Sequence, residues 1–87
     1  MGKYSIVVSR KVEKEIIGLP ARVIKLIGNA IDKLAVDPRP TGSKKIQGSD
    51  EKLWRVRVGD YRIVYSIQDV LKIVEIKRVR HRRDVYL

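Results

Sequence analysis

Cysteine is absent from this sequence, and histidine and tryptophan occur once each. Without thiols there is no disulfide framework and no thiolate-held metal. A single histidine likewise rules out a histidine-cluster site. Acids are outnumbered two to one: ten Asp and Glu stand against twenty Lys and Arg, a formal charge of +10 on 87 residues. Long apolar runs are missing too, and a helix needs roughly 20 such residues to cross a bilayer, so no membrane association is expected. The opening MGKYSIVVSRKVEK turns basic after a short apolar stretch and lacks a small-residue cleavage site, which argues against a secretory signal and for a cytoplasmic location.

What is present fits one domain, residues 1–87, with a modest core that rests on packing alone. The charge is evenly spread: residues 1–50 and residues 51–87 each hold ten bases and five acids. It is therefore built into the fold rather than appended as a tail. A field of this strength on a small body points first to nucleic acid, with an acidic protein partner compatible and simple solubility the bland reading.

Tyr4–Ser9 is rich in β-branched residues and predicts a strand, with Ser9 placed to cap a following helix. Lys11 to Gly18 sets Val12, Ile16 and Ile17 on one helical face and leaves Glu13, Lys14 and Glu15 largely outside it. Gly18-Leu19-Pro20 breaks that helix. Val23, Ile24, Ile27, Ile31 and Leu34 then recur at helical spacing until Asp37-Pro38 stops them. Residues 37–50 carry prolines, glycines and hydroxyls without any period and predict a loop. Three β-rich runs follow, Leu53–Val58, Tyr61–Ile67 and Leu71–Val79, with connections short enough to demand antiparallel hairpins. The expected fold is α+β in the order β-α-α-β-β-β, with two helices on one face of a small antiparallel sheet and an open basic face.

Alternation along the strands predicts that face. Trp54, Val56 and Val58 share one side of their strand, leaving Arg55 and Arg57 opposite. Tyr61, Ile63, Tyr65 and Ile67 form the apolar set of the next, leaving Arg62 with Val64 and Ser66. Clustered arginines repel unless an anion answers them, although a solvated surface with stems laid along the sheet is equally lawful. From Lys77 to Leu87 come five more basic residues and His81, ending in Val85-Tyr86-Leu87. Folded back over the open face, that segment brings His81, Arg82 and Tyr86 to its rim. Guanidiniums grip phosphates and a tyrosine stacks on a base, which suits single-stranded RNA. For His81 an exposed loop histidine, and for Tyr86 a tether packing the terminus, remain open. Lys44, Lys45, Arg78, Arg80 and Arg83 are further candidates for phosphate contacts.

The paired segments Leu53-Trp-Arg-Val-Arg-Val-Gly-Asp-Tyr-Arg-Ile-Val-Tyr65 and His81-Arg-Arg-Asp-Val-Tyr86 resemble the signature of RelE toxins of type II toxin–antitoxin systems, within the RelE/ParE superfamily. The resemblance spans essentially the whole chain. It implies a ribosome-dependent endoribonuclease, an mRNA interferase that cuts message in the decoding site and is inhibited by a cognate antitoxin. By resemblance, Arg55 and Arg57 match strand positions that are often lysine, Arg62 the arginine of a Gly-Tyr-Arg element, Arg82 the arginine after the last strand, and Tyr86 the C-terminal tyrosine. His81 is an additional candidate.

Acids here stand singly or in pairs such as Glu13/Glu15, so no carboxylate cluster offers a metal site, and neither metal nor cofactor is expected. A metal-free nuclease uses the substrate's own 2′-hydroxyl, with Arg57, Arg62 and Arg82 stabilising phosphate charge. Arginine stays protonated and makes no practical base. That role then falls to the ribosome, to Tyr86 or to His81, which is favoured. Two other readings stand: a ParE-type gyrase poison, which generally lacks the full basic and tyrosine set, and a non-enzymatic RNA- or ribosome-binding module.

Overall fold

The structure, a computed structural model, describes residues 3–48 and 52–81. In order these form β1 (Ser5–Val8), α1 (Arg10–Ile17), α2 (Ala21–Val36), β2 (Lys44–Lys45), β3 (Leu53–Val58), β4 (Tyr61–Gln68) and β5 (Ile73–His81). No helix among them is long and apolar enough to cross a membrane.

The helices follow their local signals. Ser9 caps α1, its hydroxyl accepting from the Val12 N–H at 3.2 Å, and Gly18 closes the helix. Pro20 precedes α2, whose N-terminus it leaves without a side-chain cap. Val12 from α1 and Val23, Ile27 and Leu34 from α2 pack on Ile63, Tyr65, Val74, Ile76 and Val79 of the sheet. Ile17, expected on the packed face, is instead 72% exposed, because α1 ends there and turns its last residue outward.

The α+β architecture is as expected, but the sheet is mixed rather than wholly antiparallel. Its strand order is β1-β5-β4-β3-β2. β1 lies parallel to β5, with Ser5 beside Ile73 and Val8 beside Ile76, a pairing that the long connection between them permits and a short hairpin could not make. The β3–β4 hairpin turns on Gly59-Asp60, where Gly59 has φ of 59° and Asp60 does not enter the left-handed region, a type II′ turn whose twist matches the strands. The expected loop over 37–50 contains the short edge strand β2, where Lys44 pairs with Arg55 and Lys45 with Trp54.

One irregularity decides which way the end of the sheet faces. Val64 pairs with Arg78 but Tyr65 pairs with Ile76, so Lys77 is an extra residue on β5, a bulge that reverses the in–out alternation beyond it. Val74 and Ile76 face the helices before the bulge, and Val79 and His81 do so after it.

Candidate functional site

β3 and β4 turn their apolar sets toward the helices and leave Arg55, Arg57 and Arg62 on the open face. The register then assembles cations into rows. Arg57 opposes Arg62, which opposes Arg80. In the adjacent row Lys44 opposes Arg55, then come Val64 and Arg78. Val64 is 7% exposed although it lies on the open face, flanked by arginine stems that shed water from it.

Lys44, Arg55, Arg57 and Arg62, with Gly42, line a cleft of about 140 Å³. Small-molecule pockets start near ~300 Å³. A phosphate group fits this volume, while the open face around it leaves room for a polymer to continue. Like charges directly opposed across strands destabilise a sheet, so the arrangement is costly unless it meets an anion. Two contacts fix its geometry. The Arg57 Nε–H donates to the Gly59 carbonyl at 3.1 Å, which orients that guanidinium. Arg80 pairs with Glu15 at 3.1 Å, so its charge is partly answered from within.

Glu15, expected outside the packed face of α1, in fact lies against β5, where its carboxylate also accepts from the Val79 N–H at 3.4 Å. β1 stops opposite Ile76, and Glu15 covers the strand edge that β1 leaves bare. Nothing in the helical period distinguishes it from Glu13; the signal is only its one-turn distance from Leu19 at the helix end.

The other expected site residues fare differently. Arg78 is on the open face and exposed, and Arg80 is there within its ion pair. Lys45 is not in the cleft: alternation along β2 turns it to the Trp54 side. His81 is likewise kept out of the cleft formed by Lys44, Arg55, Arg57 and Arg62. The bulge at Lys77 puts it on the helix side, its ring meeting Tyr61 edge-on with centroids 5.2 Å apart, in a hollow shared with Glu15, Leu19 and Arg80. Arg82, Arg83 and Tyr86 lie outside the described residues.

A second polar cluster, not expected from the sequence, sits at the opposite end of the sheet. Arg39 donates to both Asp69 carboxylate oxygens at 3.1 and 2.9 Å. Tyr4 donates to the same carboxylate at 2.7 Å, and the Arg39 guanidinium lies over the Trp54 ring at 5.2 Å. The hydrogen bonds from Arg39 and Tyr4 hold the Asp69 carboxyl well below its usual range, at about 2. Nearby, the Tyr65 hydroxyl is buried and donates to the Pro38 carbonyl at 2.7 Å; burial pushes it up to about 12.

Residues 6–86 match the family described as the ParE toxin of type II toxin–antitoxin system, parDE. The chain belongs to the RelE/ParE toxin family. It is 29% identical over 87 residues to the putative toxin RelE1 of Methanocaldococcus jannaschii, covering 97% of this chain and 96% of that one. Its fold superposes on the archaeal RelE–RelB complex from Pyrococcus horikoshii with a TM-score of 0.81 at 27% identity, covering 92% of this chain and 96% of that chain. It superposes on the toxin–antitoxin complex RelBE2 of Mycobacterium tuberculosis with a TM-score of 0.80 at 26% identity, covering 92% and 99%. This RelE/ParE toxin thus has relatives matched nearly end to end.

Proposed function

We propose that this toxin is a ribosome-dependent endoribonuclease that cuts messenger RNA and so stops translation. The observation that supports it is the cationic cleft, where Lys44, Arg55, Arg57 and Arg62 converge with no carboxylate among the lining residues. In the proposed reaction the 2′-oxygen of a ribose attacks the adjacent phosphorus, the bond from phosphorus to the 5′-oxygen breaks, and that oxygen takes up a proton. The products are a 2′,3′-cyclic phosphate and a free 5′-hydroxyl. Charge gathers on the non-bridging oxygens, and each fixed guanidinium there is worth ~3 kcal/mol, by analogy with one oxyanion-hole donor.

The arginines supply charge but not a base. His81 faces the other side of the sheet, so the 2′-hydroxyl proton goes to a group of the ribosomal site or to Tyr86. That incomplete acid–base set is why the ribosome is required: it holds the phosphate in line, which alone is worth several powers of ten. Mapping of message 5′ ends in a translating extract tests this. New ends within codons, absent when the same RNA is supplied without ribosomes, are the expected result; vigorous cutting of naked RNA or no cutting at all contradicts it.

The gyrase-poison reading draws support from the ParE name of the matching family. The cleft favours the nuclease reading, because guanidiniums converging without a carboxylate suit a phosphate whose charge grows as its bond is cut. Regulation by a cognate antitoxin is part of the proposal, because the two structures superposed above are toxin–antitoxin complexes. A hollow of about 490 Å³ between α2 and β3, lined by Leu26, Ala30, Leu34, Val56 and Val58 among others, offers such a partner apolar surface beside the cleft.

A further inference from the structure

Lys44 stands on the shortest of the strands that line the cleft. β2 is two residues long, and beyond its two pairings with β3 the segment adds one backbone bond, from the Ile46 N–H to the Leu53 carbonyl at 2.9 Å. Lys44 lies directly opposite Arg55, and Arg57 and Arg62 line the same cleft. Repulsion among these cations drives the short strand away from β3, so something else must keep it docked.

The restraint comes from the other end of the loop. Leaving α2, the chain makes an Asx turn in which the Asp37 carboxylate accepts from the Arg39 N–H at 3.0 Å. The Pro38 carbonyl is fixed by the buried Tyr65 hydroxyl, and Arg39 is forked onto Asp69 in the β4–β5 turn. The guanidinium simultaneously covers Trp54, the residue of β3 that pairs with Lys45. Between Arg39 and Lys44 the path is stiff: Pro40 opens a turn closed by the Ser43 N–H donating to the Pro40 carbonyl at 2.9 Å, with Gly42 at φ of 94°. A segment this short and constrained transmits the position of Arg39 to Lys44.

We infer that Arg39 and Asp69 are positioning residues, a clamp on one end of the sheet that holds Lys44 in the cationic cleft. The functional consequence rests on the reading that the cleft takes RNA phosphates; the mechanical one does not.

The two ways in which Asp69 can influence the cleft have opposite signs. Removing an acid makes the protein more cationic, so charge alone predicts tighter binding of RNA. Loss of the clamp frees Lys44 and predicts weaker binding. The test measures affinity of the full chain for oligouridine across a salt series, for the wild type, Asp69→Ala, Lys44→Ala, Arg57→Ala, Asp69→Ala combined with each of the last two, and Asp32→Ala as a charge control on the exposed side of α2. The clamp predicts that Asp69→Ala weakens binding about fivefold and lowers the salt slope by ~0.7, the share of one phosphate contact on a single strand. In the Lys44→Ala background the same change has no further weakening effect, whereas combined with Arg57→Ala its effect adds in full. Asp32→Ala binds at least as tightly as wild type.

Amide hydrogen exchange supplies the arm that needs no RNA. Asp69→Ala should speed exchange of the Ile46 N–H by about tenfold while leaving that of Ile63 in the core unchanged, the signature of local opening. Arg39→Lys, which keeps the charge but not the fork, should do the same. Tighter RNA binding by Asp69→Ala, or unchanged Ile46 exchange, overturns the clamp. If wild type ignores oligouridine, the reading of the cleft fails, and Ile46 exchange still decides the clamp.

Discussion

The cationic rows make a quantitative prediction about salt. Each phosphate neutralised on a single strand releases counterions that contribute ~0.7 to the logarithmic salt slope. Four cations line the cleft and its rim; with each answering one phosphate along the strand the slope should be ~2.8, and affinity for a short unstructured RNA should fall about 50-fold between ~50 and ~200 mM salt. Arg57→Ala removes one contact, so its slope drops to ~2.1 and its loss over the same interval to about 18-fold. Arg57 is exposed and its side chain bonds the Gly59 carbonyl, so the substitution spares the core. Fluorescence anisotropy titrations at four or so salt concentrations, with melting curves as a control, measure both slopes. An identical slope for wild type and Arg57→Ala, with the variant folded, would refute the assignment of the cleft as the phosphate-binding surface.

Other outcomes follow from single contacts. Tyr65→Phe keeps the buried ring but strands the Pro38 carbonyl, so it should cost ~1–2 kcal/mol and lower the melting temperature by roughly 4–16 °C; a calorimetric midpoint within a degree of wild type would count against that bond. Glu15→Gln should lose ~1 kcal/mol in urea melts as the β5 edge and Arg80 lose their charged partner, and equal midpoints would mean the edge needs no cover. Asp69 is held below its ordinary value, so the bond it makes strengthens the loop above its normal carboxylate range and is lost as pH falls from ~4 through about 2. Amide exchange at Ile46, corrected for intrinsic rates, should rise across that window and not between pH 5 and 7.

The parts of this fold that were legible in the sequence are those governed by near neighbours in the chain. Ser9 and Gly18 bracket α1 because caps are chosen by local backbone geometry, and Gly59-Asp60 specifies its hairpin for the same reason. The hairpin in turn fixes the face shared by Arg55, Arg57 and Arg62, since alternation has a period of two and no interruption intervenes. What escaped depends on distant parts of the chain. β1 joins β5 across the whole sequence, and β2 forms only because β3 offers an edge. The bulge at Lys77 carries no mark in the residues around it, yet it decides that His81 meets Tyr61 rather than the arginines of the cleft. Arg39 and Asp69 are thirty residues apart, and no local pattern distinguishes their pairing from ordinary surface charge.

If the proposed reaction is right, the guanidiniums of the open face stabilise the phosphate as messenger RNA is cut. The most direct measurement is the single-turnover rate of cleavage of ribosome-bound message by wild type and by Arg62→Ala, with the upstream fragment analysed for a 2′,3′-cyclic phosphate. Wild type should leave that end group, and Arg62→Ala, at an unchanged fold, should cut about a hundredfold more slowly, the equivalent of ~3 kcal/mol in the transition state. Cleavage by Arg62→Ala at the wild-type rate would contradict that role of the guanidiniums.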